Sequence, residues 1–350
     1  MADVRRAVRE TLALVFPNAR DRVHRDPSCG APGGWVVPDD APLVLVALSG
    51  GPDSLALAAA LGFEQAKCGV RAGAVIVDHG LQAGSAEVAE RAAEQARVAG
   101  LSPVVVRRVS VVDSGSGPEA DARAARYAAF AEVARETHAT AVLIGHTLDD
   151  QAETVLLGLA RGSGARSLAG MRVISTTVSE ATSPDLTFVR PLLGLRRDVV
   201  AQSLADQGIQ PWVDPQNADP AFSRVRVRAS VLPLLEAELG PGVALALART
   251  AAQLTDDADY LDAIAAETVA SSVTNEGTLS TEILAPLHPA IRIRCLRIWL
   301  ARELDLTQLS AAHLAAVDEL VTHWRGQEAI DVPGGTVTRN GDTLWVATPA

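Results

Sequence analysis

Lysine is almost absent from this chain. Lys67 is the single one, and arginine supplies the other 30 of the 31 positively charged side chains. Phosphate recognition must therefore be arginine work, which suits the forked guanidinium donors. Cysteine is scarce too: Cys29, Cys68 and Cys295 are widely separated and odd in number. That argues against a disulfide framework or a sulfur-rich zinc site and suits a reducing, cytoplasmic setting. No unbroken apolar run is long enough to span a bilayer, so no membrane is indicated. The opening MADVRRAVRETLALVF is interrupted by Arg9 and Glu10 and reads as an amphipathic helix rather than a secretion signal. Net positive charge is also missing. The formal charge of −11 argues against a uniformly basic surface for nucleic acid, although a local patch stays open. What is present is a globular composition, 48% apolar against 21% charged over 350 residues, with length for about two domains. No obligatory protein partner is indicated.

Apolar runs at Leu43–Leu48, Ala74–Val77, Val104–Val109 and Ala141–Ile144 alternate with helical stretches near Leu55–Leu61, Ala86–Ala99, Ala120–Thr137 and Gln151–Leu159. This alternation predicts an α/β, nucleotide-binding-like domain with a parallel sheet over residues 40–215, its functional loops at the carboxyl ends of the strands. Residues 1–39 form the N-terminal helix and an irregular lead-in rich in Pro, Gly and Asp. Residues 216–350 read as a smaller, mainly helical domain. Near its end Asn340-Gly341 lies between alternating segments, which predicts a C-terminal β-hairpin.

The first strand runs into Ser49-Gly50-Gly51-Pro52-Asp53-Ser54 and then a helix. Two glycines let backbone N–H groups approach phosphate oxygens, the helix adds its N-terminal field, and Ser49 and Ser54 add hydroxyls. The plain alternative is a capped Gly-Pro turn. Asp53 would repel a polyphosphate unless it holds Mg²⁺ or orients another cation. The loop lacks the Gly-Lys-Ser/Thr ending of a Walker motif and the glycine spacing of a dinucleotide fold.

A second constellation, His146, Asp149, Asp150 and Glu153, follows the strand at 141–144. Asp150 and Glu153 are three apart and share a helical face, so they can clamp a cationic substrate, while Asp149 suits a helix cap. The spacing is not that of a two-histidine zinc site. Arg126 by itself is an ordinary surface arginine, and Tyr127 and Phe130 read as core. Asp78-His79 stays outside the catalytic set. Further on, Arg224, Arg226 and Arg228 occur with no intervening acid, a row that meets either RNA phosphates or plain solvent. In the last third, Arg292, Arg294 and Arg297 share a helix with an apolar stripe and are candidates for its wetter faces.

SGGPDS matches the loop of the N-type ATP pyrophosphatases, which cleave ATP between the α and β phosphates. Within that superfamily the chain resembles the tRNA(Ile)-lysidine synthase family, through Asp78-His79-Gly80-Leu81, Ala122-Arg123-Ala124-Ala125-Arg126-Tyr127, the stretch from Gly145 to Thr154, Arg161-Gly162-Ser163-Gly164 and Arg190-Pro-Leu-Leu-Gly194. The resemblance implies that ATP sits on Ser49, Gly50, Gly51, Pro52, Asp53 and Ser54. It also implies that L-lysine is held by Arg126, His146, Asp150 and Glu153, and that Arg224 and Arg228 meet the tRNA. Asp53, His146 and Asp150 are the expected catalytic set, with Mg²⁺ on Asp53. The implied reaction joins lysine to C2 of the wobble cytidine in the CAU anticodon of isoleucine tRNA, through an adenylated cytidine, with release of pyrophosphate and AMP. Val225 departs from the asparagine common at that place in the family. Three alternatives stay open: sulfur transfer to a tRNA pyrimidine, which the unpaired cysteines disfavour; a ligase for a small metabolite; and an ATP-binding RNA regulator without turnover.

Overall fold

The strand Leu43–Ala47 (β1) sends alternate side chains to opposite faces. Val44 and Val46 enter one core, and Leu43 and Leu45 enter another. A strand buried on both sides belongs at the centre of a parallel sheet, and the computed structural model has it there. It describes residues 1–26, 28, 34–80, 84–115, 117–162, 164–177, 186–274, 276–302, 304 and 309–348. Cys29, Leu81 and Ser163 lie outside these.

With β2 (Arg71–Asp78), β3 (Val104–Arg108), β4 (Ala141–Leu143), β5 (Ile174–Thr177) and β6 (Leu186–Val189), the sheet order is β3-β2-β1-β4-β6-β5. All neighbours are parallel except β5 against β6. Helices α1 (Ala2–Val15), α2 (Pro52–Cys68) and α3 (Ser85–Val98) cover one face, with Val4, Val8, Leu57, Leu61 and Ala93 in its core. Helix α4 (Pro118–Thr137) covers the other, where Tyr127 and Phe130 meet Phe188. β1 pairs with β2 on one side and β4 on the other, so the loops leaving β1 and β4 are neighbours at the point where the strand order reverses. In an open parallel sheet that crevice is the ligand site.

Helices α5 (Leu148–Ala160) and α6 (Arg197–Ala205) start at this edge. A further helix, α7, covers Ser223–Leu239 with a π turn at Val227–Val231, and α8 is Val243–Ser272. The chain divides into two compact units, Met1–Ala251 and Ala252–Ala350. The division expected after residue 215 therefore falls 36 residues further on. The reason is that Leu232 and Ala244 are buried against Leu148 and Ala152 of α5, which ties α7 and the start of α8 to the first unit.

The second unit packs α9 (Pro289–Leu300) and α10 (Ala311–Thr322) with a four-stranded antiparallel sheet around Leu296, Trp299, Val317 and Leu344. Its strands β7 (Leu279–Ser280), β8 (Ile330–Val332), β9 (Gly335–Asn340) and β10 (Thr343–Ala347) run in the order β8-β9-β10-β7. The hairpin is present with its turn one residue later than the sequence suggested. Asn340 pairs with Thr343, leaving Gly341-Asp342 as the loop, with Gly341 at φ 58°. A glycine at the first loop position supplies the positive φ that a primed turn requires. Among the described residues, no single helix is long and apolar enough to cross a membrane.

Candidate active site at the switch point

The loop after β1 is shaped by Gly50, which adopts φ 79°, and by Gly51, which caps α2 ahead of Pro52. The loop after β4 presses against it. A Cβ on Gly145 would meet the Asp53 carbonyl at 3.0 Å, so a larger residue would push the two loops apart by a few tenths of an ångström. Ser49 and Ser54, expected to offer hydroxyls outward, are turned on each other at 3.1 Å, and Ser54 Oγ donates to the Gly51 carbonyl at 3.0 Å. The buried Ser54 thus braces the loop from inside, while Ser49 is exposed.

Helix α5 begins with a capping box. Thr147 Oγ1 accepts from Asp150 N–H, and Asp150 Oδ2 accepts from Thr147 N–H at 2.8 Å. This fixes Asp150 with its second oxygen aimed toward α6. Asp149, expected to cap its own helix, instead accepts the Arg197 N–H at 2.8 Å and so caps α6.

One guanidinium ties the two loops together. Arg197 places Nη2 2.7 Å from Asp150 Oδ1, Nη1 3.3 Å from Glu153 Oε1 and Nε 3.5 Å from Asp53 Oδ2. Arg228 adds Nε to Glu153 Oε1 at 2.8 Å and Nη2 to Asp150 Oδ1 at 3.3 Å, and Arg224 Nε lies 3.7 Å from Glu153 Oε2. Arg196 pairs with Asp149 at 3.2 Å. Arg196 also lies 3.8 Å from Glu236, so five carboxylates and four guanidinia share one cluster. A cavity of about 420 Å³ opens beside it, lined among others by Glu153, Arg197, Arg228 and Glu236.

Two expectations are corrected here. Asp150 and Glu153 are not an open acidic pocket, because Glu153 is fully buried and a buried carboxylate without counter-charge is prohibitively costly. Arg224 and Arg228 supply that counter-charge and point inward rather than to solvent. Arg226 also turns back, donating to the Pro220 carbonyl at 2.6 Å. Arg197, which no motif singled out, is the residue that sequence reasoning missed. Its place just after Arg190-Pro-Leu-Leu-Gly194 and the Thr147/Asp150 capping pattern were the available signals.

Asp53 is the least satisfied member. Its Oδ1 is buried without a partner. Burial pushes its carboxyl up to about 6, Asp150 adding to the rise and Arg197 opposing it. Burial drives the His146 imidazole down to about 3, Arg190 adding to the fall and Asp150 opposing it. Its Nδ1 accepts from Arg190 Nε at 3.3 Å, so the neutral ring carries its proton on Nε2 and offers a donor. An imidazole of such low basicity is a poor proton acceptor, which departs from a general-base role. Arg190 is itself buried and bonded to the Arg172 carbonyl and Ser175 Oγ, not poised for phosphate. Arg126 is exposed on α4 and makes no hydrogen bond to the acidic pair; its charge helps burial depress the pKa of His79. In the second unit, Arg292 and Arg294 are paired with Asp318 and Asp262 and do not stand free on a wet face.

Fold, loop and crevice define a PP-loop, ATP-using protein, and a PP-loop domain model matches residues 34–235. The U34-tRNA thiolase NcsA of Methanococcus maripaludis shares this fold, with a TM-score of 0.53 at 20% identity over 73% of this chain and 79% of that one. A model of the TilS substrate-binding domain matches residues 279–345. The tRNA(Ile)-lysidine synthase of Leifsonia xyli subsp. xyli is 49% identical across 97% of this chain and 98% of its own. That of Thermobifida fusca is 51% identical across 86% and 90%. The chain belongs to the tRNA(Ile)-lysidine synthase family.

Proposed function

We propose that the protein ligates L-lysine to C2 of the wobble cytidine in the CAU anticodon of isoleucine tRNA, at the expense of ATP. The observation that carries this reading is the single guanidinium of Arg197 joining the phosphate-loop carboxylate, Asp53, to the acidic pair Asp150 and Glu153. A nucleotide site and a site for a cationic amino acid are thereby within one side chain of each other.

In the first step the cytosine O2 attacks the α-phosphorus of ATP, forming an O–P bond as pyrophosphate leaves. In the second, the ε-amine of lysine attacks C2 and AMP departs, with the amine proton lost to solvent or a neighbouring base. Gly50 and Gly51 offer backbone N–H groups and close access to the phosphates, with the α2 terminus behind them. Asp53 is the residue that would hold Mg²⁺, and its buried, unpartnered Oδ1 suits an incoming cation. Bound there, the ion would neutralise charge on the phosphates.

Asp150 and Glu153 orient lysine's ammonium groups, and His146 offers its Nε2–H as a donor. Arg126, solvent-exposed on the neighbouring helix, is available to the α-carboxylate or a phosphate. The second unit, containing the matched residues 279–345, grips the tRNA, and the protein works in the cytoplasm, where that RNA is found. The test supplies purified protein with ATP, Mg²⁺, L-lysine and either CAU isoleucine tRNA or its wobble-base mutant. Pyrophosphate release and a lysine-shifted nucleoside are expected with the first RNA alone. No product rejects the reaction, and product from both rejects the base selectivity.

A further inference from the structure

We propose that Arg228 is a built-in stand-in for the cationic end of the amino-acid substrate: it occupies the Asp150–Glu153 pair until lysine displaces it, and so makes lysine and tRNA binding mutually dependent. The inference rests on the lysine reading above and adds a positioning residue to it.

Asp150 and Glu153 already carry more cations than they have charges. Asp150 meets Arg197 and Arg228, and Glu153 meets Arg197, Arg224 and Arg228, so three guanidinia share these two carboxylates. An ammonium brought to this pair would be a fourth cation on two buried carboxylates unless an arginine leaves. Arg197 is the fixed member. Its backbone N–H is held by Asp149 Oδ2 at the start of α6, and its guanidinium bridges three carboxylates. Arg228 is the movable one. It sits in the π turn Val227–Val231, an interruption of the helical ladder that recurs at functional sites. Its side chain is 34% exposed although its head lies on the fully buried Glu153, so it has a route to solvent. It also borders the cavity of about 420 Å³, which is large enough for an amino acid.

Once displaced, the guanidinium is free to pair with phosphates of a bound RNA, and the bound RNA in turn keeps it away from Glu153. Lysine therefore tightens tRNA, and by reciprocity tRNA tightens lysine by the same factor. Arg224 remains on Glu153 and Thr154, so the carboxylate is never left bare.

The test measures L-lysine binding to the full-length protein by calorimetry, with Mg²⁺ and a non-hydrolysable ATP analogue, with and without CAU isoleucine tRNA. Wild type should bind lysine about tenfold more tightly when the tRNA is present. Arg228→Gln should bind lysine about tenfold more tightly than wild type without tRNA and gain less than about twofold on adding it. In turnover the same variant should show a lower KM for lysine and a higher KM for tRNA. Equal lysine affinity with and without tRNA in the wild type overturns the proposal and needs no variant. So does unchanged or weaker lysine binding in an Arg228→Gln protein that melts and binds nucleotide like wild type. Wild-type protein that binds no lysine under any of these conditions would instead bring down the lysine reading itself, and the proposal with it.

Discussion

The two units each set arginine against buried carboxylate charge, and they do it differently. In the second unit Arg292 meets Asp318 as a closed fork, Nε to Oδ1 at 2.5 Å and Nη2 to Oδ2 at 2.9 Å, while Nη1 donates to the Leu287 carbonyl at 2.6 Å. All three guanidinium nitrogens are used, and the pair is one carboxylate to one arginine. In the first unit the strand-end cluster is spread over several arginines and left incomplete. Asp53 Oδ1 and Arg224 Nε are buried without hydrogen bonds, and Arg197, Arg224 and Arg228 are 24–34% exposed. A closed fork specifies a fold and has nothing to exchange. An incomplete cluster at the carboxyl ends of parallel strands can take in a cation and release one of its own.

The sharpest way to break this contrast is at Asp53. On the proposed mechanism, Asp53→Asn should slow adenylation about 10²- to 10³-fold, measured as single-turnover pyrophosphate release, because the carboxylate that would hold the cation beside the phosphates is lost. Arg292→Met should leave that rate within about twofold of wild type, since a closed pair distant in sequence from the loop touches none of the reacting groups. A large loss of rate there would erase the distinction between the two clusters.

Stability separates them next. Glu153→Gln strands three guanidinia around a neutral amide, and urea denaturation should show a loss of about 3–5 kcal/mol. The strain at Asp53 has the opposite sign. Its carboxyl titrates near 6 in the fold against 3.8 for the ordinary group. Its contribution thus favours the fold at low pH and is lost as pH rises through about 6. Asp53→Asn should accordingly be more stable than wild type at pH 7, on the order of 1–2 kcal/mol, with the gap closing toward pH 4. Constant difference across that range would mean that the carboxylate is not strained.

The smallest expected effect is a null. His146, held neutral to about 3 by burial and the neighbouring arginines, should show no titration between about pH 5 and 8 in ring-proton NMR. A midpoint near 6.5 would return it to consideration as a proton acceptor.

Much of the first unit was legible because its signals are local. A strand followed by Ser49–Ser54 and a helix is a pattern within a few residues, and the alternation of strands and helices fixed the sheet class. The pairing of charges was not legible. Arg197 and Arg228 reach Glu153 from 44 and 75 residues away, and no spacing rule selects them from the chain's other arginines. The same fact moved the unit boundary: residues 216–251 look like the start of a helical domain in sequence, but Leu232, Ala244 and the α7 arginines are anchored on α5. The hairpin turn slipped by one residue because Asn340-Gly341 and Gly341-Asp342 are both acceptable primed-turn pairs, and cross-strand register decides between them.

Arginine side-chain NMR tests the central contrast most directly. With ¹⁵N-arginine protein holding Mg²⁺ and a non-hydrolysable ATP analogue, L-lysine is added to saturation without tRNA and the Nε–H signals are followed. The Arg228 signal should shift and lose protection from solvent exchange, while the Arg292 signal stays where it was. Arg228 keeping its shift and protection through lysine saturation, or Arg292 responding to the same degree, would contradict the contrast.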